Sequence, residues 1–430
     1  MLNPISLLFL IILTILIGYN LISSWLSKDR SKIWSPITMV DLTLIYYVVL
    51  PSFQGLDRLG AANVSGQHLF YIAAVIFYVC VLYAFSWRSK PHFWRWNNVA
   101  NTENAQQLGL LIFLFALACY VPFRGFRTTI WAEDAYMVTA RTGLVSYFID
   151  LISVFCGSCA LLFMYMKGNN IKWYKSWLFI IVLYLTIIFY VVGGFRVRLV
   201  FLILALGTVY HLFPRPRRIN YPLVTVIAVV AFLGFAIMDV SRSYGTGIVR
   251  DAASEVSLEE ANAGAGESSS VCCFCIVAMD YCQRNNDYCF FEPYVTALLM
   301  PIPRVVLPSK PAGEYIIELQ IHTIGSADGG AAILNFVEGF YSFGWFGVIL
   351  YGLLMGWMCG VVWHNYQANK NSMGAILLLA LFNGFCYQWI SRGYLGGNFN
   401  ALLYYVAMPF WLALLFKKIF PGLTKQRVKK

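Results

Sequence analysis

Charge is what this chain has least of. Only 12% of its 430 residues are Asp, Glu, Lys or Arg, against about 25% in a soluble globular domain. With 60% hydrophobic residues and a mean hydropathy of +0.67, that deficit excludes an ordinary soluble fold and places the chain among integral membrane proteins. Acids are scarcer than bases, 20 against 31, leaving a net charge of +11. The positive residues do not form the continuous stripe that nucleic acid would need. They sit in short clusters between apolar runs, which is a topology signal. Other absences narrow the function. There is no Walker loop, which argues against an ATP-driven pump, and no dinucleotide fingerprint or Ser/His/Asp hydrolase pattern. No His, Cys or carboxylate cluster has metal-ligand spacing, so neither metal nor cofactor is expected. No internal repeat is evident, against an inverted-repeat transporter. The first apolar segment lacks a charged leader region and reads as an uncleaved membrane helix.

What is present is hydrocarbon in spans. A bilayer-crossing helix takes about 20 mostly apolar residues. Eleven stretches qualify: 2–22, 34–54, 67–87, 105–123, 143–166, 175–193, 197–213, 221–239, 333–363, 373–390 and 398–416. The ninth is long enough to hold a short surface or re-entrant helix followed by a span. The expected fold is therefore an all-α polytopic membrane protein, a single integral domain over 1–430, with one large loop at 240–332. Basic clusters fall at Lys28/Arg30/Lys32, Arg88/Lys90/Arg95, Lys167/Lys172/Lys175, Arg215/Arg217/Arg218 and in the tail from Lys417 to Lys430. Eleven spans put all five on one side, the cytoplasm, with the N-terminus outside and the C-terminus inside. The 240–332 loop then faces out. Its Ser254–Ser270 stretch, rich in Ala, Gly, Ser and Glu, reads as mobile. Val271–Met300 is apolar enough to lie on or dip into the membrane. Five of the eleven cysteines cluster there (Cys272, Cys273, Cys275, Cys282, Cys289), in a setting that permits disulfides.

Polar chemistry concentrates between Arg304 and Gly347, where His322, Asp328 and Glu338 occur. An ionisable residue at the mouth of a span is a functional-site hypothesis. A carboxylate there can have its pKa raised by desolvation, which suits a general base. Two readings stay open for Glu338: proton acceptor, or structural partner of an arginine. His322 is a second proton-transfer candidate, or simply a polar loop residue. Arg196 and Arg198 sit beside the Gly193–Gly194 turn with no acid within several residues. They read either as paired guanidinium forks for an anion or as snorkelling side chains. Arg304 and Lys310 lie in a stiff Pro-rich segment, Arg392 in the last outer turn, and Arg242 just past the eighth span. Asp41 and Asp150, inside apolar runs, are expected to pair or hydrogen-bond within the bundle.

Four motifs in order carry a likeness: GGFRVRLVFL (193–202), PRVVLPSKP (303–311), EGFYSFGWFG (338–347) and SRG (391–393). In these the chain resembles the oligosaccharide repeat unit polymerases, the O-antigen polymerase type of bacterial membrane protein. The resemblance implies a fold like the all-helical membrane glycosyltransferases and residence in the bacterial plasma membrane. It implies an enzyme that joins undecaprenyl-diphosphate-linked oligosaccharide units into a surface polysaccharide, such as O-antigen or capsule, without metal. Arg196, Arg198, Arg304, Arg392 and Arg242 would bind the diphosphate, and Glu338 or His322 would serve as base. The partners implied are lipid-linked donor and acceptor, membrane lipid, a chain-length regulator and a flippase, with no nucleic acid. Related ligases often carry a His seven residues before a Glu-Gly pair, whereas His322 precedes Glu338–Gly339 by sixteen. A ligase acting on the same carrier, or a flippase for lipid-linked glycan, remain the alternatives. A flippase should carry its cations through the membrane depth, and here they gather at one face.

Overall fold

The computed structural model describes residues 2–54, 66–87, 100–126, 150–192, 196–216, 266–303, 306–311, 313–325 and 332–420. It also describes isolated positions at 61, 64, 128–130, 148, 242–243 and 247–248. These residues are helical apart from connections and one two-residue antiparallel pairing, Arg242–Ser243 (β1) with Gly247–Ile248 (β2). The helices are α1 (Pro4–Leu26), α2 (Pro36–Phe53, with a π turn at Ile45–Val49), α3 (Gln67–Phe85), α4 (Ala105–Arg124), α5 (Phe155–Gly168), α6 (Trp177–Val192) and α7 (Arg196–Leu212). They continue with α8 (Gly266–Asn285), α9 (Glu292–Leu299), α10 (Glu314–Ile324), α11 (Asn335–Phe343), α12 (Trp345–Ala368), α13 (Met373–Ser391) and α14 (Leu395–Ile419, with a π turn at Leu402–Ala407).

Among the described residues, eight helical stretches are long and apolar enough to cross a membrane: α1, α2, α3, α4, Leu151–Gly168 ending in α5, α12, α13 and α14. The shorter apolar helices α6 and α7 match the sixth and seventh expected spans, while the eighth, 221–239, lies outside the described residues. The ninth divides as its length allowed. Residues 335–343 form the short helix α11 and Trp345 begins the span α12. The break is at Gly344, whose φ of 59° suits glycine and whose N–H caps α11 on Phe340 O. Local signals set the first helices. Asn3 caps α1 by accepting from Ser6 N, Ser35 caps α2 by accepting from Thr38 N, and a proline follows each cap.

The chain forms two compact units. The first comprises 1–90, 265–364 and 386–401; the second comprises 91–264, 365–385 and 402–430. In the first, α12 lies against α3 along Gly352, Gly356 and Gly360. A Cβ on these would meet Phe77 O, Val81 O and Phe85 O. This spacing of four lets two backbones approach closely, as small residues do in membrane helix pairs. Phe336 of α11 packs between Phe70 and Phe77 of α3. In the second unit, Phe201 of α7 stacks on Tyr405 and closes over Gly384 of α13.

Two expectations for the 240–332 loop change. Gly266–Ser270, the end of the stretch read as mobile, starts α8, with Ser268 and Ser269 buried; 254–265 lie outside the described residues. Of the stretch read as lying on or dipping into the membrane, the α8 part packs into the first unit, with Cys272, Cys273, Cys275 and Cys282 buried. The small sulfur side chains act as core. None of the eleven cysteines is in a disulfide, those of the cluster included.

Candidate functional site around Glu338

Glu338 sits in the first turns of α11, whose Asn335–Ser342 face is wholly buried. Its own exposure is 0%. A carboxylate is removed from water at great cost unless it is hydrogen-bonded. Here Tyr315 Oη of α10 donates to Oε1 over 2.6 Å, and Leu395 N–H at the start of α14 donates to the same oxygen over 2.8 Å. Oε2 has no hydrogen-bond partner. Tyr351 of α12 stands close enough to favour the carboxylate charge, but its hydroxyl completes no hydrogen bond. Burial pushes the Glu338 pKa up to about 7, while Tyr315 and the Leu395 N–H pull the other way. The same burial, together with the Glu338 charge, holds the Tyr315 phenol far above its usual range. Glu338 is thus a group able to hold or release a proton near neutrality.

The turn Arg392–Tyr394 is tied to the same place. Gly393 N–H donates to Ile333 O over 2.6 Å just before α11, and Asn398 Nδ2 donates to Arg392 O over 2.7 Å. A Cβ on Gly393 would meet Leu334 O at 2.7 Å, so the turn lies directly against the strand-like lead into α11. Arg392 is half-buried and donates from Nη1 to Ser391 O. Of the sequence candidates, the structure therefore brings together Glu338 and the Arg392 turn.

It does not bring His322 into that group. His322 faces Asp287, with Nδ1 3.7 Å from Oδ2, and is half-exposed beside the Tyr281 ring. Tyr315, seven residues earlier on α10, makes the bond to Glu338 instead. Arg198 is buried at the start of α7 and pairs with Asp150 at 3.8 Å. The lack of an acid nearby in sequence does not persist in space: Asp150 supplies one from 48 positions upstream. Arg196 opens α7, but its side chain is outside the described residues, as are the Gly193–Phe195 turn, Arg304, Asp328 and the side chain of Arg242 in β1. Lys310, in the stiff Pro-rich segment, is buried. Its Nζ donates to Met300 O and Ile302 O over 3.0 and 2.6 Å, so it braces the Pro-rich segment against the end of α9. Asp41 and Asp150 both find partners as expected; Asp41 accepts from Asn20 Nδ2 and Tyr78 Oη, each at 2.5 Å.

Sequence reasoning missed the tyrosines. Tyr315, Tyr351 and Tyr294 line the Glu338 carboxyl from α10, α12 and α9, and Tyr394 borders Tyr315. Tyr351 stands one turn after Gly347, the residue whose backbone meets Gly339 of α11, which is a local hint. Nothing in the sequence near Tyr315 or Tyr294 points to Glu338. Among the described residues, no three His, Cys, Asp or Glu side chains are placed to share a metal ion. No protein-family model, curated protein or solved structure matches this chain.

Proposed function

We propose that this protein is a membrane glycosyltransferase that joins undecaprenyl-diphosphate-linked oligosaccharide repeat units at the outer face of a bacterial plasma membrane. The observation that carries the reading is Glu338: fully buried, beside a span, half of its carboxyl unpartnered, and bonded to the Leu395 N–H just past the turn that carries Arg392. The four motifs that resemble repeat unit polymerases supply the reaction class, and the first residue of one, Glu338 of EGFYSFGWFG, accepts from the Leu395 N–H two residues past another, SRG. In the reaction, a hydroxyl of the incoming unit attacks the anomeric carbon of the growing chain. The bond from that carbon to the diphosphate oxygen breaks, and its electron pair leaves on the diphosphate. Glu338 takes the hydroxyl proton and later passes it to solvent. Arginine stabilises the departing charge, because its planar fork holds two phosphate oxygens. Arg392, three residues before the Leu395 N–H that bonds the carboxyl, is the cation argued for here; Arg196, Arg304 and Arg242 stay candidates from the sequence, and Arg198 pairs with Asp150.

The test is the glycan ladder of a deletion strain carrying Glu338→Gln. Loss of a general base costs roughly 100-fold or more in rate. The expected product is therefore single capped repeats in place of polymer, with the protein still inserted. A normal ladder from Glu338→Gln overturns the role of this residue. In the deletion strain itself, finished polymer stranded on the carrier identifies a ligase, and absence of outer-face lipid-linked units identifies a flippase.

A further inference from the structure

Both hydrogen bonds received by the Glu338 carboxyl converge on Oε1. A buried carboxylate kept only for packing has both oxygens satisfied as a rule. Oε2, by contrast, is buried without a partner. Around it other polar atoms share that condition. The hydroxyls of Tyr351 and Tyr294 are buried and complete no hydrogen bond, and their rings are 6.1 Å apart. The Asn335 amide, three residues before Glu338 on the same helix, is 0% exposed with neither of its polar atoms bonded. Ser342 Oγ, in contrast, donates its hydrogen to Glu338 O and keeps only acceptor capacity. The titratable groups facing the carboxyl are Tyr315 from α10, Tyr351 from α12, Tyr294 from α9 and Cys289 just before α9; the backbone N–H of Leu395 faces it from α14.

This set discriminates among ligands. A phosphate calls for Arg or Lys, and the groups that set the Glu338 charge include neither. An acyl chain uses none of these polar atoms. A sugar hydroxyl is both donor and acceptor, and a carboxylate with neighbouring phenols and an amide answers both needs. We infer that Oε2 of Glu338 is the oxygen that receives the acceptor's proton, that the Tyr351 and Tyr294 hydroxyls hold the acceptor sugar there, and that Tyr315 is the positioning residue that anchors Oε1. The inference rests on the glycosyl transfer proposed above and names its acceptor subsite. The proton moves from the sugar O–H to Oε2, and the freed oxygen pair forms the new glycosidic bond while the diphosphate leaves with its own pair. Since Glu338 has no solvent exposure, the sugar reaches Oε2 by displacing part of the wall, whose non-helical pieces include Arg392–Tyr394 and the connection that carries Cys289.

The experiment uses purified full-length protein in lipid vesicles with a synthetic undecaprenyl-diphosphate-linked repeat unit, comparing wild type, Tyr315→Phe, Tyr351→Phe and Glu338→Gln over pH. Tyr315 favours the ionised carboxyl, so its loss raises the pKa of the base. The acid limb of kcat in Tyr315→Phe should move up by about one pH unit or more. Its activity should recover as the pH rises past that limb, with acceptor KM little changed. Tyr351→Phe should raise acceptor KM severalfold and move the limb up by less than Tyr315→Phe does, since Tyr351 favours the carboxylate charge less. A Tyr315→Phe loss that is the same at every pH means a purely structural tyrosine, and unchanged KM in Tyr351→Phe removes the sugar subsite; either result overturns the inference. The Tyr351→Phe arm still decides if Tyr315→Phe fails to fold. Glu338→Gln at the wild-type rate removes Glu338 from the proposed reaction altogether. An inactive Glu338→Gln with an unshifted Tyr315→Phe overturns only the present inference.

Discussion

Arg198 shows how a residue changes meaning between sequence and structure. Its guanidinium side chain is 9% exposed and Asp150, its partner, 25%. An arginine so placed needs its counterion, because an uncompensated buried charge costs far more than the pair contributes. Asp150→Ala should therefore lower the thermal midpoint of the purified protein, by the equivalent of about 2 kcal/mol after allowing for the partial exposure of Asp150. Adding Arg198→Met should recover most of that loss, since the buried charge that lost its counterion is then gone. A midpoint unchanged in Asp150→Ala would show that the ion pair carries no structural weight. Asp41 follows the same logic with neutral partners, Asn20 and Tyr78, which tie α1, α2 and α3 at one point.

Glycine decides how close the elements come. At Gly339 and Gly347 the backbones of α11 and α12 touch, which brings the short helix that carries Glu338 back onto the span that carries Tyr351. Farther along α12, Gly356 meets the Val81 carbonyl of α3. Gly356→Ala places a methyl group where that oxygen lies, and neither backbone is a flexible side chain that can step aside. Overpacking of this kind costs roughly 1–3 kcal/mol. Gly18 of α1 offers a control, because a Cβ there meets nothing within 4 Å. Gly18→Ala should be neutral or slightly stabilising, as alanine is the better helix former. Melting curves in one detergent should separate the two variants, and equal midpoints would refute the close seam between α3 and α12.

For the whole molecule, the arrangement of spans sets which residues share a side of the membrane. Ten of the eleven expected spans coincide with described helices, counting the shorter α6 and α7. The basic cluster at Lys28–Lys32 falls in the connection between α1 and α2, and that at Lys167–Lys175 runs from the last turn of α5 through the connection to α6. If positive-inside bias governs, a reporter fused after Ser254 reads as non-cytoplasmic and one after Lys430 as cytoplasmic. Cytoplasmic activity at Ser254 would sink the proposed reaction, because the lipid-linked units it needs are presented on the opposite face.

Hydrophobic runs were legible from residues alone, because a bilayer demands about 20 apolar residues in a row whatever surrounds them. That requirement yields the all-helical class, the spans, and the split of 333–363 into a short helix and a span. Glu338 was legible too, as a carboxylate at the edge of a hydrocarbon run. The surroundings of that carboxylate were not. Tyr315 lies 23 residues before it and Leu395 lies 57 after, and a hydrogen bond over such distances leaves no periodic trace in either segment. The same holds for Asp150 and Arg198, and for Lys310, whose burial depends on how the prolines fold the chain back onto α9. Composition and periodicity settle what must leave water; only the packed helices decide which polar groups meet once they have left it.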